Sequence, residues 1–221
     1  MSLKIPIVSR QVNSIPDSID VAREFSQQGH LLTGWGSRSL AWRIFLGILP
    51  VRDGVDGDAV KVNWVRIVRA QRKKWAELEK SMSLIAIASQ NKKFNPLAPP
   101  KANEDEKTVA EKEMKDLIKQ DVSRTLQEFP YFRTLAVKDL LTQILFLWGR
   151  ENPDYTYKQG MNEILAMILI VFDTERVPTP EPRINWNDLT DEQIAADHLL
   201  DYIFEADSIK ADIYACFDQV L

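Results

Sequence analysis

The stretch Leu135-Ala-Val-Lys-Asp-Leu-Leu-Thr-Gln-Ile-Leu-Phe-Leu-Trp148 has the clearest helical pattern in the chain. Its apolar residues recur at intervals of three and four, which places them on one face of an α-helix. That face comprises Val137, Leu140, Leu141, Ile144, Leu145 and Trp148. The stretch therefore predicts an amphipathic helix.

The sequence on both sides of this stretch also favours helices. Ser37 is a good N-cap for a helix that contains Leu40 and Ile44. No internal repeat and no β-type alternation is present, so the predicted fold class is all-α with many helices. Further helices are predicted over residues 18–28, 60–80, 107–126, 164–172, 190–205 and 207–220.

Two proline-bearing segments interrupt the helical pattern. One is a predicted loop insertion at about 89–106, and the other is a proline-rich loop at about 177–185. We expect residues 1–30 to form a lead-in helical region. Residues 31–221 are expected to form the main domain.

Composition excludes several classes of protein. The 221 residues carry a formal net charge of −4, which argues against a nucleic-acid partner. The single cysteine, Cys216, allows no internal disulfide, as expected of a cytosolic chain. The longest apolar run, Ile164–Phe172, is about half the length of a membrane span, so no transmembrane segment is predicted. The N-terminus also lacks the apolar segment of a signal peptide.

The sequence offers no cofactor or metal site of its own. The two histidines, His30 and His198, do not have metal-ligand spacing with Cys216, and the glycines form no phosphate-binding loop. The helix at 60–80 has a basic face that we interpret as solvated. A docking surface for acidic headgroups or an acidic partner is the alternative. The face comprises Arg66, Arg69, Arg72, Lys73, Lys74 and Lys80.

The segment Ile118–Arg124 places an arginine at the end of a predicted helix. Ile118, Asp121 and Arg124 are spaced at i, i+3 and i+6, so the Asp121 carboxylate can pair with the Arg124 guanidinium across one turn. Such a pair would preorganise an arginine that projects towards a partner. An ordinary surface ion pair is the alternative.

The segment Tyr157–Asn162 places a glutamine just before another helix. Gln159 can project its amide at the helix start, where anionic ligands are favoured, or can simply cap the helix. Tyr157 can be a core aromatic residue, and Gly160 can allow close approach of another backbone. An arginine and a glutamine together suit phosphoryl transfer, where one neutralises charge and the other orients water.

Four ordered motifs resemble the TBC domain, the catalytic module of Rab GTPase-activating proteins. The opening motif has Arg38, Trp42 and Gly47, and the arginine motif has Ile118, Asp121, Arg124 and Thr125. The glutamine motif has Tyr157, Gln159, Gly160 and Met161, and a later element has Asp212, Tyr214 and Phe217. The resemblance implies an all-α fold and a function in GTPase activation.

The resemblance also implies a role for each site residue. Arg124 corresponds to the arginine finger, and Gln159 to a glutamine that replaces the Rab's own. Asp121 is expected to orient Arg124, and Tyr157 to support the glutamine loop. No cofactor is needed, because the Rab in its GTP state holds both the nucleotide and Mg²⁺. A non-catalytic TBC-like scaffold that binds a Rab or retromer is the alternative.

The match is most similar to the member-five subgroup of TBC proteins, which implies a place on late endosomes. Asn95, Pro96 and Leu97 resemble the insertion that binds the phosphoesterase-like subunit of retromer in that subgroup. An ordinary loop is the alternative. The family continues beyond the position that corresponds to Leu221. We therefore expect a C-terminally truncated domain, mainly the N-terminal lobe that bears the fingers.

Overall fold

The computed structural model describes residues 15–27, 37–91, 102–177 and 181–221, and these residues confirm the all-α class. In the described part, β structure is limited to an isolated parallel bridge between Val177 and Glu205. The α-helices are α1 (Ile19–Gln27), α2 (Arg38–Phe45), α3 (Gly57–Asn91), α4 (Ala102–Arg124), α5 (Leu135–Glu151), α6 (Met161–Glu175), α7 (Asp191–Asp197), α8 (Leu199–Ile203) and α9 (Ile209–Val220). Short 3₁₀ helices span Pro130–Arg133, Trp186–Asp188 and Ala206–Ser208.

The chain divides into two compact units. The first unit comprises residues 1–73 and 168–221, and the second comprises residues 74–167. Each boundary falls inside a helix, so α3 and α6 contribute residues to both units. The candidate finger residues all belong to the second unit.

Helix α5 in the second unit confirms the helix that its apolar pattern predicts. Helix α4 packs on α5, and Gly149 permits close contact, since a Cβ there would lie 2.8 Å from the Met114 sulfur. Leu117 on α4 is apolar but is not part of this unit's core, because its side chain is 44% exposed. The buried apolar side chains include Ile118, Val122, Val137, Leu141, Ile144, Leu145, Trp148 and Leu165.

In the first unit, the side chains of Ser37 and Glu175 both cap the N-terminus of helix α2. The Ser37 hydroxyl accepts a hydrogen bond from the Leu40 amide at 3.1 Å, which confirms the predicted N-cap. The Glu175 carboxylate, 8% exposed, accepts from the Ser37 hydroxyl and from the amides of Arg38 and Ser39, all within 2.8 Å. A carboxylate at this position satisfies free helix N–H groups and complements the helix dipole.

A buried carboxylate, Asp212 on α9, holds two arginines in the first unit. Its Oδ2 lies 3.0 Å from a terminal nitrogen of Arg43 and 3.0 Å from one of Arg72. Arg72 also lies 3.4 Å from a Glu205 oxygen. The interpretation of the basic face as solvated is therefore wrong for Arg72, whose side chain is 12% exposed.

The rest of the basic face has mixed surroundings. Arg66 and Arg69 pair with Asp191, whereas Lys73 is exposed beside a cavity of about 780 Å³. The interpretation of this face as a docking surface stays a prediction. The cavity is lined by Arg69, Arg72, Lys73, Arg183, Ile184, Asn185, Trp186, Asn187, Tyr202, Glu205, Asp207 and Ser208.

Several helix boundaries differ from those expected. Helix α3 continues to Asn91 and α4 begins at Ala102, so helices occupy both ends of the segment 89–106 that was predicted as a loop. The helix predicted over 190–205 is broken at His198, whose φ of −134° departs from helical geometry and separates α7 from α8.

Helix α6 is less buried than its apolar sequence implies. Ile164 and Met167 are 38% and 52% exposed, so this helix is not buried on every side. None of the described helices is both long and apolar enough to span a membrane.

Candidate functional site

The two candidate finger residues lie at the ends of neighbouring segments in the second unit. Arg124 is the last residue of α4, where the helix dipole favours a positive charge. Gln159 lies in the loop that connects α5 to α6, two residues before α6 begins. Both side chains are exposed. The protein therefore exposes a guanidinium at the end of α4 and a side-chain amide in the loop before α6.

A hydrogen bond joins two buried residues, Asp121 and Tyr157, that lie close in sequence to the candidate finger residues. The Tyr157 hydroxyl donates to Asp121 Oδ2 at 2.9 Å, and the two residues are 4% and 8% exposed. The Tyr157 oxygen also lies 3.2 Å from Asn162 Oδ1. This arrangement agrees with both interpretations of Tyr157, as a buried aromatic residue with a satisfied hydroxyl and as a support for the glutamine loop.

Asn162 extends the buried network to the end of α4. Its side-chain nitrogen donates to Thr125 Oγ1 at 2.8 Å, and Thr125 Oγ1 donates to the Asp121 carbonyl at 3.1 Å. Asn162 Oδ1 accepts from the Gly160 amide at 3.1 Å. The four residues Asp121, Thr125, Tyr157 and Asn162 are defined here as the polar network.

Thr125 lies within the arginine motif and Asn162 directly after the glutamine motif, but no role for either residue is predicted from the sequence. A polar residue at the start of an otherwise apolar helix was the available signal for Asn162. Buried polar groups are generally hydrogen-bonded, so such a residue needs partners from elsewhere in the fold.

Left-handed backbone conformations flank the polar network. Leu126 has φ of +43°, Thr156 has φ of +48°, and Gly160 has φ of +100°. The expectation that Gly160 permits close approach of another backbone is wrong, because no atom lies within 4 Å of a Cβ built there. Glycine is favoured at this position by its backbone conformation.

The direct ion pair expected between Asp121 and Arg124 does not form. Among the described residues, no carboxylate lies within ion-pair distance of the Arg124 guanidinium, and Asp121 is instead bound by Tyr157. In the described part of the chain, the exposed Gln159 side chain makes no hydrogen bond to the start of α6, where Gly160 donates to Asn162 instead. The side chains of both candidate finger residues are therefore exposed and lack a partner among the residues that the structure describes.

The environment of Tyr157 keeps its hydroxyl protonated. Burial raises the pKa of Tyr157, and the hydrogen bond and the negative charge of Asp121 raise it further. The Tyr157 hydroxyl therefore remains a hydrogen-bond donor to Asp121 at neutral and moderately alkaline pH.

Glu163, in the first turn of α6, also has a raised pKa. The causes are burial and the nearby Glu128 carboxylate.

The other candidate residues lie elsewhere or outside the described residues. Arg38 lies on α2 in the first unit, where its Nε is 3.5 Å from Glu175 Oε1, and Trp42 is half-buried on the same helix. Asn95, Pro96 and Leu97 are outside the described residues. No group of metal-ligating side chains occurs among the residues that the structure describes.

The family assignment follows from comparison with known proteins. The model of the Rab-GTPase-TBC domain matches residues 36–179, a range that contains both candidate finger residues and the whole polar network. This chain belongs to the Rab-GTPase-TBC domain family.

Its relatives include proteins named TBC1 domain family member 5. The human protein is 32% identical over 135 residues, which cover 61% of this chain and 16% of that protein. Homolog B from Dictyostelium discoideum is 26% identical over 184 residues, which cover 83% of this chain and 16% of that protein. The matches thus span about a sixth of the length of these relatives.

A solved structure shows the same fold. The Ypt/Rab-GAP domain of Gyp1p aligns with a TM-score of 0.54 and 18% identity, over 92% of this chain and 51% of that domain. The all-helical architecture is therefore that of a TBC domain.

Proposed function

We propose that this chain is a GTPase-activating domain that accelerates GTP hydrolysis by a Rab. Arg124 neutralises charge on the transferring phosphoryl group, and Gln159 orients the attacking water in place of the Rab's own glutamine. Asp121 and Tyr157 hold the segments that carry these two side chains. The Rab, in its GTP state, supplies the nucleotide and the Mg²⁺.

The observation that supports this proposal most directly is the contrast between buried supports and exposed fingers. The supporting side chains of Asp121 and Tyr157 are at most 8% exposed and bonded to each other, whereas Arg124 and Gln159 are exposed. Side chains that act on a partner's reacting atoms need a backbone that is held in place and functional groups that are exposed. A scaffold that only binds a Rab has no need of this arrangement.

The proposal is tested by single-turnover hydrolysis with a panel of GTP-loaded Rabs. We expect the wild-type protein to stimulate at least one Rab, and Arg124→Ala to lose roughly 10³-fold or more of that stimulation. Gln159→Ala is expected to lose most of it as well. Binding of a Rab without any stimulation would contradict the proposal and identify a non-catalytic scaffold.

We also propose that the protein acts in the cytoplasm at endosomal membranes, to which partners recruit it. The support is the similarity to TBC1 domain family member 5 and the sequence Asn95-Pro96-Leu97. An apolar leucine next to a proline in the sequence suits a pocket on the phosphoesterase-like subunit of retromer. We expect Leu97→Asp to abolish capture of that purified subunit and Lys93→Asp to retain it. Equal capture by both variants would contradict this assignment.

A further inference from the structure

Asn162 is a buried side chain that contacts the segments of both finger residues. Its Nδ2 donates to the hydroxyl of Thr125, the residue directly after Arg124, at 2.8 Å. Its Oδ1 accepts from the amide of Gly160, the residue directly after Gln159, at 3.1 Å. A single amide group, 5% exposed, thus spans the two segments.

The hydrogen-bonding pattern requires an amide at this position. Thr125 Oγ1 uses its proton for the Asp121 carbonyl at 3.1 Å, so it must accept from its other neighbour. The Gly160 amide can only donate, so it needs an acceptor. An asparagine has a donor for Thr125 and an acceptor for Gly160, whereas a carboxylate has no donor and a leucine has neither.

The Tyr157 hydroxyl cannot replace this connection. It has one proton and two neighbouring acceptors, Asp121 Oδ2 at 2.9 Å and Asn162 Oδ1 at 3.2 Å. The charged and closer acceptor is favoured, because hydrogen bonds to ionised groups are the stronger ones. Tyr157 therefore anchors α4, while Asn162 fixes the backbone beside Gln159 relative to the end of α4.

We propose that Asn162, acting with Thr125, is a positioning residue that sets the separation of the two fingers. This proposal rests on the proposed function, since it concerns how Arg124 and Gln159 reach one transition state together. Misplacement of a reacting group by about 1 Å can cost about 100-fold in rate. Loss of the Asn162 connection therefore lowers the rate of hydrolysis but leaves docking of the Rab intact.

The kinetic test compares variants that keep the shape of the side chain. We expect Asn162→Asp and Thr125→Val to lower kcat of stimulated hydrolysis about 10- to 100-fold, with KM for the GTP-loaded Rab changed less than about threefold. Thr125→Ser keeps the hydroxyl and is expected to retain wild-type kcat. The matched control is Ser123→Ala, because the Ser123 hydroxyl also bonds a carbonyl of α4, at 2.7 Å, but is exposed.

A second measurement needs no Rab and separates this inference from the proposed function. Native-state hydrogen exchange reports on the Gly160 amide, which donates to Asn162. We expect Asn162→Leu to speed exchange of the Gly160 amide at least about tenfold, while the amides within α6 keep their protection. Unchanged Gly160 exchange would overturn the inference, as would wild-type kcat in folded Thr125→Val.

The outcomes also distinguish the two proposals. A wild-type protein that stimulates no Rab contradicts the proposed function, whatever the exchange data show. Stimulation that needs Arg124 and Gln159 but not the Thr125 hydroxyl contradicts this inference alone. An equal loss of kcat in Ser123→Ala and Thr125→Val would likewise overturn it, because general weakening of the end of α4 would then explain both.

Discussion

At the residue scale, the contact between Tyr157 and Asp121 makes a prediction about stability. Tyr157→Phe removes the donor that lies 2.9 Å from a carboxylate that is 8% exposed. Leaving a buried acceptor unsatisfied costs about 1–3 kcal/mol. We expect urea denaturation to show a loss of this size in the free energy of unfolding. Tyr155→Phe is the control, because Tyr155 is 70% exposed on the same loop, and it should leave the value unchanged.

The same residue gives the stability a defined pH dependence. Burial and then Asp121 raise the pKa of Tyr157, so its ionisation at alkaline pH favours the unfolded chain. The stabilisation by the hydroxyl is fully present below the ordinary tyrosine pKa of about 10 and is lost as the pH rises towards the folded value. The difference between wild type and Tyr157→Phe should shrink above about pH 10. A difference that grows there would contradict the assignment.

At the element scale, Glu175 determines how α2 begins. Its carboxylate accepts from two amides and one hydroxyl at the helix N-terminus. Glu175→Ala should lower the free energy of unfolding by about 2–3 kcal/mol, because hydrogen bonds to a charged group are lost and buried donors stay unpaired. Equilibrium denaturation measures this change. Glu192→Ala removes an exposed ion pair with Arg66 and should lower the denaturation midpoint much less, and equal effects of the two substitutions would refute the capping role.

Local signals predicted the elements well, and tertiary context explains the differences. The apolar spacing in α5 and the N-cap at Ser37 are properties of adjacent residues, and both are confirmed. The break at His198 and the exposure of Met167 depend on packing that no local pattern encodes. Helix α3 extends to Asn91, beyond the end predicted near residue 80.

The candidate site was predictable only in part. Arg124 and Gln159 were identified from motifs, and the structure places both at the surface of one unit. The contact of Tyr157 with Asp121 joins residues 36 positions apart, and that of Asn162 with Thr125 joins residues 37 apart. Spacing within one helix instead favoured a pair between Asp121 and Arg124, and the longer-range contact prevailed.

At the scale of the whole molecule, Asp212 connects three helices of the first unit. It holds Arg43 from α2 and Arg72 from α3, and the side chains of Asp212 and Arg43 are 4% and 3% exposed. Asp212→Asn keeps the shape but leaves two guanidinium groups without this charge, which should cost about 3–5 kcal/mol in unfolding free energy. Asp207→Asn tests an exposed pair with Arg183 and should cost less than about 1 kcal/mol. A smaller loss for Asp212→Asn than for Asp207→Asn would contradict this account.

Cys216 reports on the opening of the same unit. The thiol is fully buried, and burial raises its pKa to about 12, so neither access nor ionisation favours reaction with a disulfide reagent. We expect no labelling of the native protein near about pH 8 and complete labelling in urea. Asp212→Asn should speed labelling, since it destabilises the surrounding unit. Rapid labelling of the native wild type would show that this core is open.

The claim that Gln159 acts in trans is tested most directly by a Rab whose own switch glutamine is replaced by alanine. Single-turnover hydrolysis of its bound GTP is measured with wild-type protein and with Gln159→Ala. We predict that the wild type stimulates this Rab nearly as well as the unmodified one, because the water-orienting amide comes from the activating protein. Gln159→Ala should not stimulate it. Loss of stimulation by the wild type when the Rab lacks its own glutamine would contradict the account.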